Sequence, residues 1–268
     1  TPFLLLLHYF IQKFFLILWR AWFYILASIP VIILFPILAF LCFLKKGYNG
    51  IFWIARYIWS PFVLFGCGFY LRIKYMKPFP KNISHILVSN HTSYLDPFIM
   101  FRVSKTPFVF VGKKELSKIP IFGFIYKRAA ILVDRSDTES RKNVYVRAKE
   151  VIKNGYNVCI FPERNYLDNK LLLNTFKRGA FKISVDHQIP IIPMVFLDCK
   201  RKFPWHINYG FPGQLRVKTF ETVNPKTFNF KIENLNNHIR KIILNGLISD
   251  PLQSNQKAIE LEKKIFRS

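Results

Sequence analysis

Acidic residues are scarce in this chain. Its 268 residues hold 15 Asp and Glu against 40 Lys and Arg, for a net charge of +25. Cysteine is scarce too, with no CxxC pair and no spacing typical of zinc ligands. The cysteines are Cys42, Cys67, Cys159 and Cys199. The sequence therefore predicts separate buried thiols, with no disulfide framework, no metal site and no redox cofactor. A G-x-S-x-G nucleophile elbow is also missing, which argues against a serine nucleophile.

So strong a positive charge implies an anionic partner. Lipid headgroups attract Lys and Arg by about 1 kcal/mol each near a membrane surface, and nucleic acid attracts them as well. Hydrophobic residues make up 51% of the chain, and no helix-turn-helix, RNP or zinc-finger pattern appears. We therefore expect an anionic membrane as the partner, and no nucleic acid.

The first 71 residues differ from the rest in their long apolar runs. Residues 21–44 carry no charge, and as a helix they would span roughly 36 Å, enough for a hydrocarbon core of roughly 30 Å. Pro30 and Pro36 are expected to kink this helix. Residues 3–18 and 57–71 each fit a second span or a helix lying in the membrane interface, so the number of spans stays open. We interpret the first run as retained, because no basic residues precede it and no small-residue cleavage site follows soon after.

Short apolar runs alternate with longer mixed segments after Arg72. Five of these runs read as buried strands, at residues 85–89, 108–111, 130–133, 158–161 and 191–195. Helices are expected from about residue 137 to Gly155, over 177–187, and over most of 235–267. The alternation predicts an α/β fold with a mixed, largely parallel sheet flanked by helices and preceded by N-terminal membrane helices. The expected domains are 1–71, membrane-embedded or interfacial, and 72–268, catalytic.

The sequence Asn90-His91-Thr92-Ser93-Tyr94-Leu95-Asp96 follows the first of these strands. His91 is expected on the loop at the carboxyl end of that strand, where open α/β sheets place their ligands. A histidine there acts as a general base near neutral pH, and a carboxylate five positions on turns back to fix its tautomer. The alternative is structural, since Asp96 before Pro97 also fits a helix cap. No Ser or Cys has a separate base, so a catalytic His91 would activate the substrate's own hydroxyl.

More motifs follow in a fixed order. They are Lys113-Lys114-Glu115-Leu116, Ile119-Pro120-Ile121-Phe122-Gly123, Ile131-Leu132-Val133-Asp134-Arg135, Phe161-Pro162-Glu163, Phe176-Lys177-Arg178-Gly179-Ala180-Phe181 and Ile189-Pro190-Ile191-Ile192-Pro193. The series resembles the PlsC-like glycerophosphate and lysophosphatidate acyltransferase family from about residue 85 to residue 195. Several ordered blocks at the usual spacings are far more specific than any one of them.

The resemblance implies roles for the first block. Its pattern N-H-x-S-x-x-D is matched by Asn90, His91, Ser93 and Asp96. In the family this His and Asp are the catalytic pair, so His91 is the expected base and Asp96 its orienter. Asn90 and Ser93 are expected to position either the loop or the reacting carbonyl of the substrate.

The resemblance also implies a binding site for the acceptor. Lys114 and Arg135 match basic residues that contact the acceptor phosphate in the family. Lys114 also fits a solvated or membrane-facing charge run, and Arg135 also fits a surface ion pair with Asp134 or Asp137. Glu163 of the third block is expected either to bind the acceptor or to hold its loop.

The third block departs from the family pattern. The family has F-P-E-G-T-R, or a variant with Asn for Thr, whereas Arg164 stands here at the glycine position and Tyr166 at the arginine position. Arg164 would then supply the guanidinium for the phosphate from a shifted backbone. Alternatively, the acceptor lacks glycerol phosphate and is an aminolipid or another lyso-lipid. Ala129 in place of the Gly that opens the second block is a milder change.

The resemblance implies an acyltransferase of phospholipid biosynthesis. The expected donor is acyl-CoA or acyl carrier protein, and the expected acceptor is a lysophospholipid, 1-acylglycerol 3-phosphate first. A non-catalytic lipid-binding relative is the alternative of a different class. We expect the catalytic domain at the cytoplasmic face of a membrane, because both donors are cytoplasmic. Basic residues on both sides of the longest apolar run leave its orientation ambiguous.

Overall fold

The computed structural model describes residues 2–80, 83–134, 136–163, 171–207 and 209–252. The helices of this part are α1 (Pro2–Ile33), α2 (Phe35–Phe43), α3 (Tyr48–Ile54), α4 (Ser60–Gly66), α5 (Asp96–Val103), α6 (Phe122–Ala129), α7 (Thr138–Lys153), α8 (Gly179–His187), α9 (Cys199–Lys202) and α10 (Ile232–Ile248). The strands are β1 (Phe69–Tyr75), β2 (Ile86–Ser89), β3 (Phe108–Lys113), β4 (Ala130–Val133), β5 (Asn157–Ile160), β6 (Ile191–Phe196) and β7 (Gly213–Thr219). A π-helical turn, Ala55–Trp59, joins α3 to α4, and 3₁₀ turns occupy Lys114–Lys118 and Pro225–Phe228.

The strands form one sheet in the order β1-β7-β6-β2-β5-β3-β4. Strand β2 pairs in parallel with β5 and β6, and β3 pairs in parallel with β4 and β5, while β6 and β7 are antiparallel. Every residue of β2 and β6 is buried, as expected for central strands covered on both faces. The prediction of a mixed, largely parallel sheet flanked by helices is confirmed, and the five predicted strands match β2 to β6 within about two residues.

The chain forms two compact units. The first comprises residues 1–72, 92–103 and 198–215, and the second comprises 73–91, 104–197 and 216–268. The first unit thus begins with the segment predicted as a membrane domain, but it also takes in two later segments that the sequence placed in the catalytic domain.

In the second unit, helices pack on the sheet. Helix α10 lies against β6, and α7 lies against β4 and β5. Asp137 caps α7, because its carboxylate accepts a hydrogen bond of 2.9 Å from the amide of Glu139. Helix α10 contains the first part of the helical segment predicted over 235–267, and the part of that segment from residue 253 lies outside the described residues.

The first unit is built on α1. Residues 6–33 of this helix are long and apolar enough to cross a membrane, by length and composition, and no other helix of the described ranges is. The uncharged run that predicted a span over 21–44 is divided between α1 and α2, and the helix is interrupted at Leu34. The missing amide of Pro36 accounts for the interruption, while Pro30 lies within α1.

Arg20, in the middle of α1, is buried in the first unit. Its guanidinium lies 3.8 Å from the centre of the Phe203 ring and donates to the carbonyl oxygens of Pro204, at 2.6 Å, and His206, at 3.2 Å. Trp19 packs edge-on against the same ring, with 5.0 Å between ring centres. Arg20 therefore fastens the segment after α9 to α1, and it is not a solvated charge at the end of a span.

Candidate active site

The residues singled out by the sequence follow the carboxyl ends of parallel strands. The His91 loop follows β2, the Phe161-Pro162-Glu163 segment follows β5, and Lys114 follows β3. Because these strands run in parallel, their carboxyl ends meet at one edge of the sheet. The topology thus brings the separate sequence blocks to a common edge.

Asp96 closes the loop between β2 and α5. It is fully buried, and its Oδ2 atom accepts hydrogen bonds from the amides of Thr92, at 2.7 Å, and Ser93, at 2.9 Å. The carboxylate therefore turns back to the amide that directly follows His91. It also begins α5, where a negative charge at the amino end of a helix is favourable.

A thiol from a distant part of the first unit also reaches Asp96. Cys199, at the start of α9, is buried and donates a hydrogen bond to the Asp96 carboxylate. Burial, together with this neighbouring carboxylate, raises the pKa of the Cys199 thiol well above its usual value. Cys199 is thus a protonated donor and not a nucleophile. Nothing in the sequence around Cys199 indicates this contact.

His91 is held by the third block. Its backbone amide donates to Glu163 Oε1 at 2.7 Å, and its ring stacks on Phe161 with ring centres 4.0 Å apart and an interplanar angle of 15°. The Phe161 ring is stacked in turn on Phe110 of β3, at 6.1 Å. The imidazole is half-buried on an aromatic support, so its orientation is restricted while an edge stays accessible.

Glu163 is buried and links two segments of chain. Besides the His91 amide, its carboxylate accepts from the Asn174 amide at 2.9 Å and from Asn174 Nδ2 at 3.0 Å. Burial raises the pKa of Glu163, and the three donors oppose that rise without cancelling it. Of the two predicted roles, these contacts support holding the loop over binding the acceptor.

The side chains of Asn90 and Ser93 also hold the loop. Asn90 Nδ2 donates to the Phe196 carbonyl at 3.0 Å, and Asn90 Oδ1 accepts from the Phe196 amide at 2.8 Å. Ser93 Oγ donates to the carbonyl of Phe203 and accepts from the amide of Leu95. Both side chains are buried in backbone contacts, which supports the loop-positioning alternative rather than a direct contact with substrate.

The predicted phosphate ligands are only partly described. Lys114 is exposed at the start of a 3₁₀ turn, and its ammonium group helps to lower the pKa of the Asp134 carboxylate, after the larger effect of hydrogen bonds from Ser136. Arg135 and Arg164 lie outside the described residues. Among the described ranges, no group of three or more His, Cys, Asp and Glu side chains is arranged to hold a metal ion.

A cavity of about 340 Å³ lies in the second unit beside the third block. Phe161 and Glu163, which hold His91, also line it. The remaining lining residues are Val111, Val133, Arg141, Val144, Tyr145, Ile160, Pro162, Lys177, Arg178, Gly179, Ala180 and Ile183. Its wall is mainly apolar, whereas its three cations are exposed side chains. The sequence pointed to Lys177 and Arg178 only as members of a motif, and it gave no role to Arg141.

Comparison with known proteins identifies the family of this chain. A family model described as Acyltransferase matches residues 71–197. The 1-acyl-sn-glycerol-3-phosphate acyltransferase of Haemophilus influenzae is 30% identical over 180 residues, which are 66% of this chain and 72% of that relative. The chain belongs to the 1-acyl-sn-glycerol-3-phosphate acyltransferase family.

Other members of this acyltransferase family match over different lengths. The enzyme of Cocos nucifera is 30% identical over 184 residues, which are 67% of this chain but only 57% of that relative. A probable 1-acyl-sn-glycerol-3-phosphate acyltransferase of Mycoplasma genitalium is 26% identical over 250 residues, 83% of this chain and 91% of the relative. The crystal structure of PlsC from Thermotoga maritima has a TM-score of 0.75 at 22% identity, covers 88% of this chain and 96% of PlsC, and confirms the acyltransferase fold.

Proposed function

We propose that this acyltransferase transfers a fatty acyl group from a thioester to the free hydroxyl of a lysophospholipid, with 1-acylglycerol 3-phosphate as the principal acceptor. The observation that carries the proposal is the closed loop from His91 to Asp96. A half-exposed imidazole stands on an aromatic support, and a buried carboxylate turns back beside the next amide. Relatives named for this reaction support the choice of acceptor.

In the proposed mechanism, His91 removes the proton of the acceptor hydroxyl as the oxygen attacks the thioester carbonyl. Asp96 stabilises the resulting imidazolium. The tetrahedral intermediate collapses by breaking the carbon–sulfur bond, and the departing thiolate takes the proton from His91. The ester and the free thiol are released, and the enzyme returns to its starting state. No covalent acyl-enzyme forms, in keeping with Cys199 as a protonated, buried donor.

Binding of the acceptor phosphate is assigned to the basic residues of the sheet edge. Lys114 is one, and Arg135 and Arg164 are proposed from their place in the sequence. Arg178 at the cavity, beside the amino end of α8, adds a further cation. Guanidinium groups bind phosphate oxygens in a bidentate manner, and helix amino ends favour anions.

A second acceptor class is supported by the sequence of the third block. Arg164 and Tyr166 replace the Gly and Arg of the family pattern. Since the arginine of the third block is replaced by Tyr166, an aminolipid or another lyso-lipid without glycerol phosphate is the alternative acceptor.

The donor and the location complete the proposal. Acyl-CoA and acyl carrier protein are both anionic and suit a chain with a net charge of +25. The apolar helix α1 and this charge support a position at an anionic membrane. The catalytic part is proposed on the cytoplasmic side, because the donors are cytoplasmic. Working at the bilayer avoids exposing an acyl chain to water, at about 0.8 kcal/mol per CH₂.

The test is a matrix of donors and acceptors with the purified protein in detergent. Labelled acyl-CoA and acyl carrier protein are each offered with lysophosphatidate and with lyso-lipids of other headgroups. The proposal expects lysophosphatidate to have the highest kcat/KM. A higher kcat/KM for an aminolipid would show that the aminolipid, and not lysophosphatidate, is the principal acceptor. No turnover with any pair would favour the non-catalytic lipid-binding alternative.

A further inference from the structure

An apolar surface stands out on the second unit, away from the His91 loop in sequence. It consists of Leu116, Ile119, Ile121 and Phe124, which are 39%, 45%, 38% and 41% exposed. Four large apolar side chains within nine positions are thus open to solvent. We call these four residues the 116–124 tip. The neighbours Gly123, Ile125 and Tyr126 are buried, so α6 presents its other face to the unit's interior.

The backbone at the tip is strained. Ile121 has φ 63° and ψ −62°, and the amide of Phe122 donates to the carbonyl of Pro120 at 2.6 Å. These values describe a γ-turn with positive φ, which is rare and strained, and a β-branched residue is among the worst suited to it. An exposed turn of this shape would be less strained with Gly or Asn. The chain instead keeps a large apolar side chain there.

The strained turn is held firmly by its surroundings. The amide of Gly123 donates to the Ile119 carbonyl at 2.7 Å, and Ser117 Oγ donates to the Lys114 carbonyl at 2.7 Å. A Cβ atom on Gly123 would overlap the carbonyl of Ser117, so the two backbones pack directly together. The turn is therefore a fixed projection that holds Ile121 outward. Backbone strain of this kind persists only where the surrounding structure holds it, and it is concentrated at functional sites.

The charges around the tip have one predominant sign. Between residues 113 and 128 there are five cations and a single carboxylate, Glu115. All five cationic side chains are exposed, and they are Lys113, Lys114, Lys118, Lys127 and Arg128. Apolar side chains surrounded by lysines are the pattern by which proteins insert shallowly into the interface of an anionic bilayer.

We propose that the 116–124 tip inserts into the headgroup region of an anionic phospholipid bilayer. The inference rests on the proposed function in taking a membrane as the surface on which the enzyme works. It adds a second contact with that membrane, on the unit that carries His91 and separate from α1. Lys114 is assigned to the acceptor, and the other four basic residues bind the phosphates of the bilayer lipids. The four apolar side chains reach the start of the acyl chains.

The test reads the local environment of the tip and needs no turnover. An environment-sensitive NBD group is attached at Ile121→Cys or, on the regular helix α6, at Phe124→Cys. The matched control is Val146→Cys on α7, which is 59% exposed and adjoins Arg147. Unsubstituted protein gives the background labelling of the native cysteines. Each sample is added to phosphatidylcholine vesicles with or without phosphatidylglycerol, and cosedimentation measures the bound fraction.

With phosphatidylglycerol, the labels at 121 and 124 are expected to shift to the blue and to be quenched by lipids that carry a quencher on the upper acyl chain. The label at 146 is expected to remain solvent-like. Solvent-like labels at 121 and 124 on vesicle-bound protein, or no binding at all, would overturn the proposal. A blue shift of these labels with acidic acyl carrier protein but not with vesicles would overturn the proposal and show that the tip binds the donor protein instead. The fluorescence readout needs no turnover. Repeating it with His91→Ala therefore tests the insertion of the tip independently of the proposed chemistry.

Discussion

Replacing Glu163 by Gln tests the link between the third block and the His91 loop. The buried carboxylate accepts three hydrogen bonds, one from the His91 amide and two from Asn174. A Gln side chain keeps one acceptor oxygen and places an NH₂ group where the other oxygen was. Either the His91 amide or the Asn174 donors then face a donor. An unsatisfied buried donor costs about 1–3 kcal/mol, and removing a buried charge offsets part of that. We expect Glu163→Gln to lower the free energy of unfolding by about 1–2 kcal/mol.

The same substitution is expected to slow turnover. His91 would lose the amide contact that fixes its loop, and a displacement of about 1 Å at a catalytic group reduces the rate roughly 100-fold. The assay combines urea unfolding in detergent with kcat for the best donor and acceptor. Glu233→Gln, the same change at an exposed carboxylate in the first turn of α10, is the control. Wild-type stability together with wild-type kcat in Glu163→Gln would refute this account of the loop.

Glu163 also predicts a pH dependence of stability. Its pKa in the folded chain lies above the ordinary value near 4.5, chiefly because of burial. Between these two values the folded state binds more protons than the unfolded state, so this group's contribution to stability falls as pH rises. The contribution of Glu163 to stability is complete below about pH 4.5. It is lost as the pH rises through the pKa that Glu163 has in the folded chain. Glu163→Gln has no such titration. The difference in free energy of unfolding between wild type and this variant is therefore expected to shrink as pH rises. A difference that grows with pH would contradict the raised pKa of Glu163.

Three further predictions concern side chains outside the loop. Cys199→Ala removes the thiol donor to Asp96 and is expected to lower kcat by roughly 3- to 10-fold, and Cys199→Ser, whose hydroxyl donates to the same carboxylate, is expected to restore most of it. Arg178→Ala is expected to raise KM for lysophosphatidate roughly tenfold, with kcat and donor KM unchanged in steady-state kinetics. Arg20→Met is expected to lower the free energy of unfolding by about 2–3 kcal/mol, measured by urea unfolding, because the carbonyl groups of Pro204 and His206 lose their charged donor.

Local patterns were enough to predict the centre of the fold. The strands over 85–89 and 191–195 are continuous apolar runs, as central parallel strands must be when both faces are covered. The loop from Asn90 to Asp96 was placed correctly because it follows such a strand. The two hydrogen bonds that the Asp96 carboxylate accepts connect residues only three and four apart in the chain. The spacing predicted that this carboxylate turns back through the loop, but it did not predict the two amides as its partners.

Contacts between distant segments could not be predicted in the same way. Arg20 looked like a charge at the end of a membrane span, yet its partners are carbonyl groups more than 180 residues away. Cys199 contacts Asp96 and Glu163 accepts from the His91 amide. The residues that surround Cys199 and Glu163 in the sequence do not indicate either partner. The positive φ of Ile121 was equally hidden, since no Gly or Asn stands there to signal it.

The central claim is that His91 is the base of an acyl transfer to a lysophospholipid hydroxyl. The most direct measurement is kcat for His91→Ala against wild type and against His238→Ala, an exposed histidine on α10, with equal folding checked by unfolding curves. We predict a loss of roughly 10²- to 10⁴-fold for His91→Ala and no change for the control. A folded His91→Ala enzyme that keeps its kcat would contradict the account.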